Sequence, residues 1–206
     1  MNIDLKNKFI IISSPSGAGK TTLCKLLLKK INDLSLSVSY TSRERRLNEV
    51  NGKDYYFINK SRFLKLKKEN FFIETAMNFG NYYGSPYKNI KKNNNLLFDI
   101  DWKGARKIRK KVIKDNIIDF FILPPSVKEL KKRLVKRGRD NKKDIHLRLS
   151  YALNEISHYR EYSYVLVNNN VKETINDIIQ ILKFQSIIDT NKKLTEKKLK
   201  TLIDFQ

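Results

Sequence analysis

The stretch Phe9-Ile10-Ile11-Ile12, followed closely by Ser14-Pro15-Ser16-Gly17-Ala18-Gly19-Lys20-Thr21, constrains this chain more than any other feature. Four apolar, mostly β-branched residues bounded by Ser, Pro and Gly read as a buried strand running into a tight loop. Beyond the loop, Leu23, Leu26, Leu27 and Ile31 recur at helical spacing. Strand, glycine-containing loop and helix in that order open a βαβ unit. The octet matches the phosphate-loop pattern G-x-x-x-x-G-K-[ST] except at its first position, where Ser14 replaces Gly. In such a loop, backbone N–H groups and the positive end of the helix surround phosphate oxygens. Lys20 then reaches the β and γ phosphates of a triphosphate such as ATP, and the Thr21 hydroxyl takes a Mg²⁺ position. Ser14, Pro15, Ser16, Gly17, Ala18, Gly19, Lys20, Thr21 and Thr22 are the candidate triphosphate-binding residues.

Three later apolar runs, Leu96-Leu97-Phe98, Ile117 to Leu123 and Tyr164 to Val167, each precede a helix-like segment. That alternation predicts an α/β fold, a three-layer P-loop NTPase core whose parallel sheet is covered by helices on both faces. Within 206 residues one domain is expected, with its core at about 1–36, 96–132 and 150–188. Residues 37–95, rich in Tyr, Phe, Arg and Asn, read as an inserted mixed α/β subdomain. Residues 133–149, charged and interrupted by Gly138, read as a short helical lid, and 189–206 as a Lys-rich tail that forms a terminal helix.

Asp99 ends an apolar strand, where a metal-binding carboxylate is expected; Asp101 is the competing candidate and points the same way if the strand continues that far. Arg133 and Arg137 lie four apart on one helix face, with Arg148 across the lid. His146 and His158 have no carboxylate or nucleophile at suggestive spacing and read as structural or exposed. The single Cys24 excludes an internal disulfide, which predicts a reducing, cytoplasmic setting. No run approaches eighteen apolar residues, so neither export by a signal peptide nor membrane spanning is expected. The charge of +22 invites a polyanionic partner, but the 32 Lys and 11 Arg are spread evenly, as a solvated bias of composition rather than a nucleic-acid surface.

Taken in order, Val38-Ser39-Tyr40-Thr41-Ser42-Arg43-Glu44-Arg45-Arg46, Val50-Asn51-Gly52-Lys53-Asp54-Tyr55-Tyr56-Phe57, Phe72-Ile73-Glu74 and Gly80-Asn81-Tyr82-Tyr83-Gly84-Ser85 closely resemble the monophosphate-binding region of guanylate kinases. Phe98 to Gly104, Leu123-Pro124-Pro125-Ser126, Arg133-Leu134, Arg137-Gly138, Arg148 and Ser157 through Asn168 extend the resemblance over roughly residues 8–186. It implies Mg²⁺-dependent transfer of the ATP γ-phosphoryl group to GMP, with dGMP as a further acceptor. By the same resemblance Arg43, Arg46, Tyr55 and Tyr83 grip the GMP phosphate, while Glu74, Ser39, Ser85 and Asp99 recognise guanine. Lys20, Arg43, Arg133, Arg137 and Arg148 then act on the transferring group, and Asn168 lies on the adenine side. The chemistry suits those residue types, because guanidinium forks match phosphate and a carboxylate accepts both guanine N1–H and N2–H. Arg45 departs from the family, standing where it often has Pro. The readings set against this one are a non-catalytic interaction domain of the same fold, a basic nucleic-acid-binding ATPase and another small-molecule kinase. A homo-oligomer is compatible with the sequence.

Overall fold

Strand alternation decides the layering of the core. In β1 (Phe9–Ser13), Ile10 and Ile12 face Leu23 and Leu27 of α1 (Lys20–Lys30) and Ile175, Ile178 and Leu182 of α6 (Val171–Ile203). Phe9 and Ile11 face the other way, onto Ala105 and Ile108 of α3 (Trp102–Lys111). Both faces of β1 are therefore covered, and Ile10, Ile11 and Ile12 retain no exposure. Each such side chain contributes about 1.5–3 kcal/mol of hydrophobic stabilisation, which is why a run without polar alternation is stable only as a central strand.

The computed structural model describes residues 1–3, 5, 7–90, 95–136 and 142–203. Its main sheet is wholly parallel, in the order β2 (Leu34–Leu36), β7 (Asn95–Asp99), β1, β8 (Ile117–Leu123) and β9 (Tyr164–Val167). The sequence reading found four of these strands. The fifth, β2, is three residues at the sheet edge, too short to carry a period. The register sets Ile12 beside Asp99, so the phosphate loop and the Asp99 carboxylate leave neighbouring strands at their carboxyl ends.

A second, mixed sheet is ordered β4 (Tyr56–Phe57), β3 (Tyr40–Thr41), β6 (Asn81–Pro86), β5 (Phe72–Asn78). Helix α2 (Lys60–Lys68) closes it by packing Phe63 and Leu66 on Phe72. Ile73 of β5 joins the α3 face of the core, which docks this sheet beside the main one. Antiparallel pairing sets Glu74 opposite Ser85 and Tyr40 opposite Gly84. The α/β core with a parallel sheet and an inserted mixed subdomain is thus the architecture of the chain.

Helices α4 (Val127–Lys136) and α5 (Lys142–Ser157) meet through Leu130, Leu134 and Ala152. Val127 and Leu153 on the same two helices are exposed. The terminal helix is not separate. It continues α6 without a break to Ile203. No helix among the described residues is long and apolar enough to cross a membrane.

Candidate active site

The phosphate loop is shaped by two glycines with positive φ, Gly17 at 97° and Gly19 at 98°, a region that L side chains rarely enter. Gly19 has a second reason: a Cβ there would come within 2.6 Å of Asn168 Nδ2. Asn168 lies beneath the loop, 2% exposed, donating to the Ala18 carbonyl at 2.8 Å and accepting from Thr174 Oγ1 at 3.2 Å. The Asn168 side-chain amide, expected on the adenine side, is engaged with the loop and with Thr174 and braces the loop from below.

Lys20 points to the carboxyl end of β7, where Nζ pairs with Asp99 Oδ1 at 2.7 Å and donates to the Ile100 carbonyl at 3.1 Å. Burial disfavours its charge, but Asp99 outweighs that and raises its pKa. Thr21 Oγ1 lies 3.4 Å from Asp99 Oδ2. Strand β7 ends at Asp99, so the strand alternation that would align Asp101 with it does not extend that far. Asp101 caps α3 instead, accepting from Gly104 N at 2.8 Å and from Asn78 Nδ2 at 2.7 Å.

Opposite the loop, Glu74 is 2% exposed. Its Oε1 accepts from Ser85 N at 2.9 Å and Ser85 Oγ at 2.7 Å, and Ser85 Oγ lies 3.1 Å from Ser39 Oγ. A methyl group on Gly104 would come within 2.8 Å of Glu74 Oε2, so the glycine keeps that oxygen's surroundings open. Burial, reinforced by Asp101 and partly countered by Ser85, pushes the Glu74 carboxyl up to about 7.

Between these two walls, Arg43 stacks its guanidinium over Tyr55, 5.3 Å from the ring centroid. The rings of Tyr55 and Tyr83 meet edge to face at 6.0 Å. Burial and then Asp99 raise the Tyr55 phenol, which stays protonated as a donor. One cavity of about 200 Å³ is lined by Ser14–Gly17, Gly19–Thr21, Ser39, Arg43, Arg46, Tyr55, Glu74, Tyr83, Asp99 and Asp101. A cavity of about 540 Å³ adjoins it, behind Arg43 and against Cys24 and Leu28 of α1.

Arg133 is held by Glu129 of its own helix at 3.0 Å and does not line either cavity. Arg137 and the side chain of Arg148 lie outside the described residues. Two carboxylates escaped the sequence reading. Glu155 of α5 accepts from the phosphate-loop amide of Ser16 at 3.1 Å, and Glu49 engages both nitrogens of Arg43's fork at 2.8 Å. Glu155 and Ser16 are 139 residues apart, a distance at which no spacing rule applies. His158 stacks on Trp102 at 3.6 Å and pairs with Glu161 at 2.7 Å, a structural place.

The guanylate kinase family profile matches residues 6–185. Guanylate kinase of Rickettsia prowazekii is 45% identical over 88% of this chain and 93% of its own length. That of Rickettsia felis is 47% identical over 88% and 96%. Among solved structures, guanylate kinase from Anaplasma phagocytophilum superposes with a TM-score of 0.72 at 36% identity, covering 87% of this chain and 86% of that one. The chain therefore belongs to the guanylate kinase family, whose members phosphorylate GMP to GDP with ATP as donor.

Proposed function

We propose that a GMP phosphate oxygen attacks the γ phosphorus of ATP in line, while the bond from that phosphorus to the ADP oxygen breaks and ADP leaves with the electron pair. The observation that carries this reading is Glu74, buried and ionisable in the same cavity as Lys20. Guanine N1–H and N2–H donate to its carboxylate, and Ser39 and Ser85 complete the base site; adenine, which offers an acceptor at N1, leaves that carboxylate unpartnered. Loop amides and Lys20 hold the ATP phosphates. Arg43, Arg46, Tyr55 and Tyr83 hold the acceptor phosphate, and most of the rate gain comes from fixing the two phosphates against each other. Arg133, Arg137 and Arg148 are assigned to the transferring group by family resemblance.

The Thr21 hydroxyl and the Asp99 carboxylate are adjacent hard oxygen donors, a set that fits Mg²⁺ shared with substrate phosphates. When bound, Mg²⁺ offsets charge on the β and γ phosphates. Asp99 rather than Asp101 is the residue proposed to hold it, since Asp99 stands beside the Thr21 hydroxyl of the phosphate loop whereas Asp101 caps α3. The core residues carry ATP and the 37–95 insertion carries GMP or dGMP. A cytoplasmic setting, with no nucleic-acid partner, goes with this chemistry. Its support is the lone Cys24, buried and with its thiol pushed well up by that burial.

An ADP-release assay with ATP, Mg²⁺ and each of GMP, dGMP, AMP, CMP and UMP tests the proposal. Turnover is expected with GMP and dGMP. No turnover with GMP, or equal turnover with AMP, overturns it.

A further inference from the structure

Two arginines three residues apart suggest two equivalent guanidinium groups waiting for one phosphate. The structure treats them differently. Arg43 donates from Nη1 to Glu49 Oε2 and from Nη2 to Glu49 Oε1, both at 2.8 Å, and again from Nη1 to the Glu44 carbonyl at 2.7 Å. Its guanidinium also rests on the Tyr55 and Phe57 rings. Arg46 stays half exposed and reaches Glu49 only at 4.0 Å. Glu49 is anchored by the backbone rather than held on a free side chain: its Oε2 accepts from Arg46 N at 2.9 Å, and its own N–H donates to the Arg46 carbonyl at 3.1 Å. Burial opposes its charge, but the Arg43 fork and the Arg46 amide hold the carboxyl below the ordinary range.

A guanidinium carries five N–H donors in a fixed plane. Three of Arg43's are taken by Glu49 and Glu44, the Tyr83 hydroxyl also bears on the guanidinium, and the other two, Nε–H and the second Nη2–H, form another parallel fork on the adjacent edge. That fork suits a phosphate bidentately. We infer that Glu49 is the positioning residue of the acceptor-phosphate site: it clamps the end of Arg43 so that the side edge is presented to the phosphate, while Arg46 supplies the unclamped second cation. The inference rests on the function proposed above and deepens it. A group already immobilised loses little conformational freedom when ligand arrives, so the clamp acts on GMP affinity rather than on ATP. The competing arrangement is a Glu49 that stands in for the phosphate and must be displaced by it. The two arrangements predict opposite signs.

The test compares wild type, Glu49→Ala, Glu49→Gln, Arg43→Ala and the double variant Glu49→Ala/Arg43→Ala. KM and kcat are read for GMP and for ATP, and GMP binding by calorimetry. Glu49→Ala is expected to raise the KM for GMP by about tenfold, the loss of one well-placed charge-assisted contact. Its KM for ATP stays within about twofold. Glu49→Gln keeps one acceptor oxygen and loses less. The double variant is no worse than Arg43→Ala alone, because Glu49 acts through Arg43. An unchanged or lower KM for GMP in both Glu49 variants, or losses that multiply in the double variant, overturns the clamp. Wild type that neither binds nor turns over GMP overturns the functional reading instead, so the two failures are told apart.

Discussion

At Glu74 a carboxylate sits where its charge is unfavourable until a ligand donates to it. Its pKa of about 7, against an ordinary 4.5, means that between those two pH values the unfolded chain has released a proton that the folded chain keeps. Stability contributed at this site therefore falls as pH rises through that window, by on the order of 3 kcal/mol once pH exceeds 7. Glu74→Gln removes the ionisation while its amide oxygen still accepts from Ser85. A thermal melt of that variant is expected several degrees above wild type at pH 8, with the gain gone at pH 4.5; a gain independent of pH contradicts the assignment. The same substitution sets an amide N–H against guanine donors, so kcat/KM for GMP falls about a hundredfold while the KM for ATP holds. For wild type, the KM for GMP rises as pH drops below 7. That Glu74 belongs with the phosphate loop in one cavity was legible from its place in an ordered set of motifs. Its titration near neutrality was not, because it depends on burial and on Asp101, 27 positions away in the chain.

The phosphate loop is held from two sides by elements remote in sequence, and its element-scale behaviour follows from them. From below, Asn168 at the end of β9 bonds the Ala18 carbonyl; from above, Gly17 lies against Leu130 and Leu134 of α4, so that a Cβ there would approach Leu130 Cδ1 to 3.0 Å. Glu155 of α5 holds the Ser16 amide between them. If Asn168 is a brace, Asn168→Ala loosens the loop for every triphosphate: KM for ATP and for any other usable donor, such as dATP or GTP, rises by a similar factor of about ten, and stability falls by about 1–2 kcal/mol. A contact with adenine would instead weaken ATP selectively, and donor-specific loss measured by steady-state kinetics would refute the brace. Strand β1, the loop and α1 were readable because the signal is local: an apolar run, two glycines and a helical period. Strand β2 was not, since three residues show no alternation, and its pairing with β7 is made by the rest of the sheet. Asn168 was located by motif, but its bond to the Ala18 carbonyl was not legible, because which way an amide faces is decided by the loop packed over it.

Across the whole molecule, the charge of +22 and the C-terminal extension are the features that the family likeness leaves over, since the match ends at residue 185. Most of the Lys excess has no assigned ligand, and its effect on small anions is long-range steering. One lysine differs. Lys8 is 5% exposed, just before β1, and its Nζ lies 2.7 Å from Asp189 Oδ2 while donating to the Asp115 carbonyl. Asp189 sits on the part of α6 beyond the family match, so the extension supplies the counter-ion of a cation buried in the core. A second pair, Lys192 with Asp115, ties the same stretch to the segment before β8, but both partners are largely exposed and add little. Removing one partner of a buried pair is costly because the other charge stays behind, whereas removing both is nearly neutral. Asp189 is itself partly exposed, which tempers the loss: Asp189→Ala is expected to destabilise by about 1–3 kcal/mol, a fall in Tm of roughly 3–10 °C for a chain of this size. Adding Lys8→Met should return most of that loss, since the methionine keeps the buried stem and drops the unpaired charge. GMP turnover below the melting range stays unchanged in both variants, as neither residue lines the active-site cavity. Equal melts for wild type and Asp189→Ala, or no recovery in the double variant, would show that the extension is a passenger and that water rather than Asp189 satisfies Lys8.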